Sequence, residues 1–408
     1  MKVFLSAYAC EPGKGSEPGV GWNWACGLAD RVSLSVLTRE SNRMAIEGEL
    51  CKLPAESPLR GVSFFYHDLS SPLLWAKRHG LLPTFAYYVL WQWSVSRRFS
   101  AEADAADIVH HLTFCTLLCP GFWKLRRAKY VLGPVGAPQV NPHYLPLFGN
   151  RAWLQRLRGW MMDHFLALPW LRSLLQHAAA VVPANTETRD FLLTHQIPSR
   201  EVMLDTGAPR ATESTSREGR PGFIRLAYAG RLERRKGLEL ALRALAALNV
   251  VQECDWRFNI MGDGPDRDRL IALGEELGIA GKITFHGNLP RTEVMRHFQN
   301  ADAFLFTSVR DTSGGVNLEA MACGLPIICI AHQGVGDITD ASCAIQVTPG
   351  PIQETIRALG DGIRNLANSP EKCKQMGHAA RENALTRFSW EEKVDRMVKI
   401  YEEIPYNA

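Results

Sequence analysis

Asp311-Thr312-Ser313-Gly314-Gly315-Val316-Asn317-Leu318-Glu319-Ala320-Met321-Ala322-Cys323-Gly324-Leu325-Pro326 decides how this 408-residue chain is read. Two carboxylates, Asp311 and Glu319, bracket two hydroxyls and a Gly-Gly pair. The apolar run Ala303-Phe304-Leu305-Phe306 ahead of them reads as a short buried strand. Leu318 to Cys323 reads as a helix, because Ala, Met and Glu favour one. Gly324 and Pro326 then stop it. The order is strand, glycine turn, helix start. Free N–H groups at a helix start attract anions, phosphate above all. Asp311 falls at the strand end and Glu319 in the first helical turn, so both can face one ligand held at the turn. The same junction occurs in α/β domains without ligands, where a first-turn Glu serves only the helix dipole.

Outward from that stretch, the second half reads as a strand–helix series. Ile224–Ala229 is a strand, followed by the loop Gly230-Arg231-Leu232-Glu233-Arg234-Arg235-Lys236-Gly237 and a helix from Leu238 to Leu248. Trp256–Met261 is a strand ended by Gly262-Asp263-Gly264-Pro265, and Lys282–His286 another, followed by Gly287-Asn288-Leu289-Pro290. Ile327–Ile330 and Ala344–Val347 close the series. Thr206 to Gly222 is polar and rich in breakers, and reads as an interdomain linker.

The first half repeats the pattern. Residues 2–8 form a strand that runs into a glycine-rich loop, Cys10 to Gly21, before a helix from Trp22 to Ala29. Gly19 and Gly21 in that loop let backbone approach a ligand; an ordinary connection is the other reading. Further strands are expected at Leu34–Thr38, Val62–His67, Asp107–Leu112, Tyr130–Val135, Ala179–Pro183 and Val202–Asp205. The alternation argues for an α/β chain with parallel sheets and helices on both faces. Ligands of such sheets bind at the carboxyl ends of the strands. That singles out the first loop, His110-His111 and Gly133-Pro134-Val135-Gly136. Neighbours on a strand point to opposite faces, so at most one of the two histidines lines a cleft. A core histidine bonded to backbone is the alternative for each.

Composition is that of a globular protein of two ordinary domains, and a net charge of +4 gives no ground for a nucleic-acid partner. Ten cysteines without a CxxC pair or zinc spacing suggest reduced thiols and a cytoplasmic protein. Met1 to Leu5 reads as a first strand rather than a signal peptide, and no apolar run reaches membrane-spanning length. Two segments mix aromatic and basic residues at helical spacing: 85–98, and 151–177 with Trp153, Trp160 and Trp170. Trp with Arg suits a lipid–water interface, giving a peripheral contact at the inner face of the plasma membrane. Aromatics turned to the core and arginines to water is the competing reading.

In order along the chain, these motifs resemble the retaining glycosyltransferases of family 4, the glycosyl transferases group 1. The match rests on Gly230-Arg231-Leu232 with Lys236-Gly237, the turn Gly262 to Pro265, Phe285-His286-Gly287, Asp311 and Glu319 with the run to Pro326, and Phe388-Ser389-Trp390. The resemblance implies the GT-B fold: two Rossmann-like doubly wound parallel-sheet domains facing a cleft. Residues 1–208 would form the acceptor-side domain, 209–222 the linker and 223–390 the nucleotide-sugar domain, with the helix of 391–408 packing back on the first. The donor would be a nucleotide-diphosphate sugar, UDP or GDP, with no further cofactor and no metal. The acceptor would be a glycan or a polyprenyl-linked glycan. By resemblance Arg231 and Lys236 neutralise the diphosphate, Glu319 takes the ribose hydroxyls, and Asp311 takes the transferred sugar near the reacting carbon. Backbone N–H groups of Gly315 and Val316 hold the distal phosphate, Gly314 belongs to the same donor-binding turn, and the loops of Gly262, Gly264 and Gly287 flank the base. Gly19 and Gly21 approach donor phosphate or sugar, and His110 or His111 corresponds to a histidine near the sugar.

The chain departs from the family in two places. Relatives usually carry Glu at the Asp311 position, and the shorter acid reaches about 1.5 Å less. They often have His-x-His where this chain has His110-His111-Leu112. The resemblance implies retention by front-side attack, with the leaving phosphate oxygen taking the acceptor's proton, and no side chain is an evident nucleophile of the retaining-glycosidase kind. A nucleotide-sugar epimerase of the same fold and a non-catalytic nucleotide-sugar-binding subunit are the other readings.

Overall fold

Among the described residues, twelve short strands form two sheets of identical winding. The computed structural model describes residues 1–112, 114, 116–137, 139–209, 219–252 and 254–405. The first sheet holds β1 (Lys2–Ser6), β2 (Ser33–Thr38), β3 (Ser63–Tyr66), β4 (Ile108–His111), β5 (Lys129–Val135) and β6 (Ala180–Pro183) in the order β3-β2-β1-β4-β5-β6. The second holds β7 (Phe223–Ala229), β8 (Asp255–Met261), β9 (Ile283–Gly287), β10 (Ala303–Phe306), β11 (Ile327–Ile330) and β12 (Ala344–Val347) in the order β12-β11-β10-β7-β8-β9. The strand pairs of both sheets are parallel. Helices cover both faces of such sheets, which is why β4, β6, β10 and β11 are buried along their whole length, and β6, β10 and β11 read as continuous apolar runs.

Contacts divide the chain into two units. One comprises Met1–Ala137, Met162–Thr206 and Trp390–Ala408; the other comprises Pro138–Met161 and Gly207–Ser389. In the first unit, alternation along β1 and β4 sends neighbours to opposite faces. Val3, Leu5 and Ile108 pack with Trp24, Val394 and Met397, while Phe4 and Val109 pack with Tyr87, Tyr88 and Trp91. The C-terminal helix Trp390–Glu402 lies along the first helix, Ser16–Leu28. Gly27 makes that approach possible, since a Cβ there would stand 2.4 Å from Val394 Cγ2. Lys393 donates to the Leu204 carbonyl and Arg31 Nε to Asp395 Oδ1 at 2.6 Å.

Several elements differ from their expected form. Val202–Asp205 is not a strand: Arg200 and Met203 reach Val181 and Pro183 of β6 at 2.8 and 2.9 Å, too sparse a set for a ladder. The expected helix from Arg151 to His177 is broken into Ala152–Leu166 and Pro169–Gln176, because Pro169 starts a new helix and cannot continue the old one. Pro138–Met161, expected with 1–208, packs in the second unit. Tyr144, Leu147 and Phe148 enter its core, and Tyr144 Oη bonds Thr355 Oγ1 at 3.0 Å. Most of the expected linker, Arg210 to Glu218 with Thr212, Ser214, Thr215 and Ser216, lies outside the described residues.

Candidate functional site

The winding of the second sheet reverses between β7 and β10, and the loops leaving those two strands lie against each other. A reversal of this kind opens a place for a ligand at the carboxyl ends of the strands. Val309 N donates to Arg235 O at 2.9 Å, Thr307 Oγ1 to Lys236 O at 3.2 Å and Ser308 Oγ to Arg235 O at 3.1 Å. Gly237 ends the basic loop at φ +64, and a Cβ there would stand 2.1 Å from Thr307 O. Only glycine lets the two loops meet this closely.

That contact brings Lys236 onto Asp311. Lys236 Nζ bonds Asp311 Oδ2 directly, and Arg235 Nη1 stands 3.7 Å from the same oxygen. Asp311 N donates to Gln333 Oε1 at 2.6 Å, and Gln333 Nε2 donates to Gln139 O at 2.7 Å. Burial pushes the Asp311 carboxyl up, but Lys236 and Arg235 outweigh it and hold it below the usual carboxylate range. The acid is therefore ionised at neutral pH, with its partner buried beside it. Arg231 on the same loop is largely exposed and pairs with Glu233 at 2.7 Å.

The turns after β7, β8 and β9 are knitted together. Gly230 N donates to Met261 O at 3.0 Å, Gly262 N to Gly287 O at 2.7 Å and Leu232 N to Asp263 O at 2.9 Å. A Cβ at Gly262 would stand 2.0 Å from Gly230 O, and one at Gly264 2.4 Å from Leu232 O. Between these turns opens a recess of about 720 Å³, lined by Gly230, Arg231, Gly262, Pro265, Asn288 and Leu289 among others.

After Asp311 the chain turns through Gly314 and Gly315 into the helix Val316–Ala322, two residues earlier than expected. The Gly314 N–H bonds the Asp311 carboxylate. The Gly314 carbonyl accepts from Asn317 N at 2.8 Å and Asn317 Nδ2 at 2.7 Å. Glu319 sits in the first helical turn and pairs with Arg291 Nη2 at 3.1 Å. Burial raises its carboxyl and Arg291 opposes that rise.

The first-unit residues fare differently. Gly19 and Gly21, expected in a loop, lie inside the helix Ser16–Leu28. Cβ atoms there would stand 2.2 Å from Lys14 O and 2.0 Å from Ala9 O, so the chain's own backbone fills the space their missing side chains leave. His110 is fully buried with both ring nitrogens engaged: Nε2 with Gly133 O at 2.6 Å and Nδ1 with Tyr401 Oη at 2.5 Å. His111 faces the other way, its Nε2 2.8 Å from Tyr88 Oη. Burial pulls the two down to about 4 and about 3, so both are neutral at pH 7. The structure thus gathers Arg231, Lys236, Gly262, Gly264, Gly287, Gly314, Gly315, Val316, Asp311 and Glu319 in the second unit, and gives His110 the backbone-bonded core setting.

Sequence reasoning missed the part of the site that comes from 139–161. Gln139 reaches Asp311 through Gln333, Leu147 O accepts from Arg234 Nη1 at 3.2 Å, and Gln155 accepts from Arg310 Nη1. These partners lie far apart in sequence, and no local pattern signals them. In the first unit, Glu17 accepts from Phe114 N at 3.2 Å, and burial, with Asp205 adding, pushes its carboxyl up to about 8.

Comparison with known proteins adds the following. The family model for glycosyl transferases group 1 matches residues 212–383. D-inositol 3-phosphate glycosyltransferase of Mycobacterium bovis (strain BCG / Pasteur 1173P2) is 30% identical over 335 residues, 72% of this chain and 68% of that protein. The corresponding enzyme of Corynebacterium jeikeium (strain K411) is 30% identical over 209 residues, 49% of this chain and 48% of its own. The chain thus spans about half the length of the Corynebacterium jeikeium enzyme, and 44% of a glycogen synthase of Mycobacterium tuberculosis (strain CDC 1551 / Oshkosh) to which it is 28% identical. Among solved structures, a sucrose-phosphate synthase from Thermosynechococcus elongatus superposes with a TM-score of 0.64 at 17% identity, covering 98% of each chain. WaaG, a glycosyltransferase involved in lipopolysaccharide biosynthesis, does so with a TM-score of 0.61 at 16% identity over 100% of each chain. The fold is GT-B, an α/β architecture of two doubly wound parallel sheets.

Proposed function

Because the chain belongs to the glycosyl transferases group 1, we propose that it is a retaining, metal-independent glycosyltransferase. It moves a hexosyl unit from a UDP- or GDP-sugar to a glycan or polyprenyl-linked glycan in cell-surface polysaccharide synthesis. The observation that carries this reading is the buried Lys236–Asp311 contact at the ends of β7 and β10, beside the recess after β8. The base lies in that recess, and Glu319 holds the ribose. Lys236 and Arg231 face the diphosphate, and the Gly314–Val316 turn meets its distal phosphate. Asp311 accepts hydrogen bonds from hydroxyls of the transferred sugar.

The acceptor hydroxyl attacks the anomeric carbon on the face the leaving group departs from. The bond from that carbon to the phosphate oxygen breaks, its electron pair passes to the oxygen, and the acceptor's proton follows. Fixed positive charge at a developing anion is usually a large catalytic term, and Lys236 and Arg231 supply it here. His110 and His111 take no step in this scheme.

The lipid-linked acceptor is supported by the aromatic and basic helices. From Leu69 to Ala101 there is no acidic residue, while Lys77, Arg78, Arg97 and Arg98 are present. Trp75, Trp93, Trp153, Trp160 and Trp170 each expose roughly half their surface, and Arg97 lies 3.7 Å over the Trp93 ring. Among the described residues no helix is long and apolar enough to cross a membrane. The protein accordingly works as a peripheral protein at the inner face of the plasma membrane, through 85–98 and 151–177. Radiolabel transfer tests the reading: label moves from donor to a membrane-glycan acceptor fraction. Release of a new labelled nucleotide-sugar without acceptor would instead make the protein an epimerase.

A further inference from the structure

Three guanidinium groups gather beside Asp311, and among the described residues two of them form no ion pair with a carboxylate. Arg310 is the residue before Asp311 and donates through Nη1 to Gln155 Oε1. Arg158 stands one turn on from Gln155 along the helix Ala152–Leu166, on the same face. Arg235 donates from Nη1 to Arg310 O at 3.3 Å. Asp311 is engaged by Lys236, and Glu233 by Arg231 and Arg235 at 2.7 and 2.8 Å. Neither Arg158 nor Arg310 has an acidic partner within ion-pair distance among the described residues, and Arg158 Nε is buried without a hydrogen-bond partner.

Such an arrangement is costly as it stands. Burial lowers both guanidiniums, and neighbouring cations lower them further: Arg235 for Arg158, and Arg158 with Arg235 for Arg310, which comes down to about 10 although Glu233 and Asp311 pull it the other way. Half-buried like charges are disfavoured unless an anion joins them. A solvated basic face would expose these groups, and it would not leave Arg158 Nε closed off from water and unbonded. The fork of a guanidinium fits a carboxylate or phosphate with two parallel hydrogen bonds.

We propose that Arg158, Arg235 and Arg310 form a second anion site beside Asp311, which takes a carboxylate or phosphate carried by a sugar substrate and not the donor's own diphosphate. This rests on the glycosyltransferase reading and deepens it. Asp311 marks the transferred sugar in that reading, so an anion held next to it belongs to the transferred sugar or to the acceptor hydroxyl's own residue. The protein is then specific for an acidic carbohydrate.

Inorganic phosphate, titrated calorimetrically into the full chain saturated with UDP or GDP, reads the site directly. Phosphate should bind the nucleotide-filled protein, and Arg158→Gln and Arg310→Gln should each weaken it about tenfold or more, with nucleotide affinity kept within about twofold. Absence of phosphate binding to the nucleotide-filled wild type would overturn the proposal. So would phosphate binding unchanged in both variants, or a loss of nucleotide affinity in Arg158→Gln as large as in Lys236→Gln. Should no nucleotide bind at all, the glycosyltransferase reading falls by itself. Phosphate lost in Arg158→Gln but kept in Lys236→Gln would then still uphold the anion site, and the reverse would sink it. Transfer rates separate the two sources. A penalty in Arg158→Gln confined to a uronate donor over its neutral counterpart assigns the transferred sugar. One confined to a phosphorylated over a neutral acceptor assigns the acceptor, and an equal loss with neutral substrates contradicts both.

Discussion

Lys236 and Asp311 are each other's counter-ion at a place with little access to water. Removing Lys236 leaves the Asp311 carboxylate with only Arg235 Nη1 at 3.7 Å, which costs up to about 3 kcal/mol. Lys236→Ala should therefore lower the urea midpoint as well as abolish transfer. A variant as stable as wild type would mean that the pair is solvated. The two histidines allow a pH test with a definite sign. Their folded values, about 4 for His110 and about 3 for His111, lie below the unfolded value of about 6.5. The unfolded chain thus binds more protons below pH 6.5, and stability is lost as pH falls from there toward the folded values. His111→Gln should make the decline between pH 6 and pH 4 shallower by about one proton, or about 1.4 kcal/mol per pH unit. An unchanged slope would show that His111 is already protonated in the folded state.

At the scale of elements, the loops that meet at β7 and β10 and the 139–161 segment decide the geometry. Gly237→Ala places a Cβ against Thr307 O at a positive φ, and should cost about 2 kcal/mol or more. Tyr144→Phe removes the hydroxyl that bonds Thr355 Oγ1 at 3.0 Å and accepts from Gly350 N at 3.2 Å. It should destabilise the second unit by about 1–2 kcal/mol, measured as faster amide exchange in 139–161 and 350–356; exchange unchanged in both would detach the segment from that unit. The strands were legible in the sequence because a buried parallel strand is a short apolar run between turn residues, as β10 and β11 are. Asp311, Glu319 and Lys236 were legible because each belongs to a local strand–turn–helix pattern. The first helix was misread because Pro18, Gly19 and Gly21 look like a loop, and their use inside Ser16–Leu28 depends on backbone from Lys14 and Ala9. Gln139, Gln155 and Arg158 could not be read, since what makes them part of the site is packing across more than a hundred residues.

For the molecule as a whole, the proposed function requires donor recognition in the second unit and attachment at a lipid surface. The acid-free stretch from Leu69 to Ala101, with Trp75, Trp93 and its four basic residues, predicts binding to anionic vesicles at low salt. Flotation should fall when Trp93 and Arg97 are both replaced by Ala; a wild-type chain that stays at the bottom of the gradient would refute the membrane contact. The donor site carries the central claim, and thermal unfolding in the presence of UDP-, GDP- and ADP-sugars tests it most directly. Ligand at a hundredfold excess over its dissociation constant stabilises the fold by about 2.7 kcal/mol, a rise of about 2 °C or more for a chain of this size. The account predicts such a rise with a UDP- or GDP-sugar in wild type and its loss in Lys236→Ala, each measured against its own ligand-free protein. No rise with any nucleotide-sugar, or an equal rise in Lys236→Ala, would contradict it.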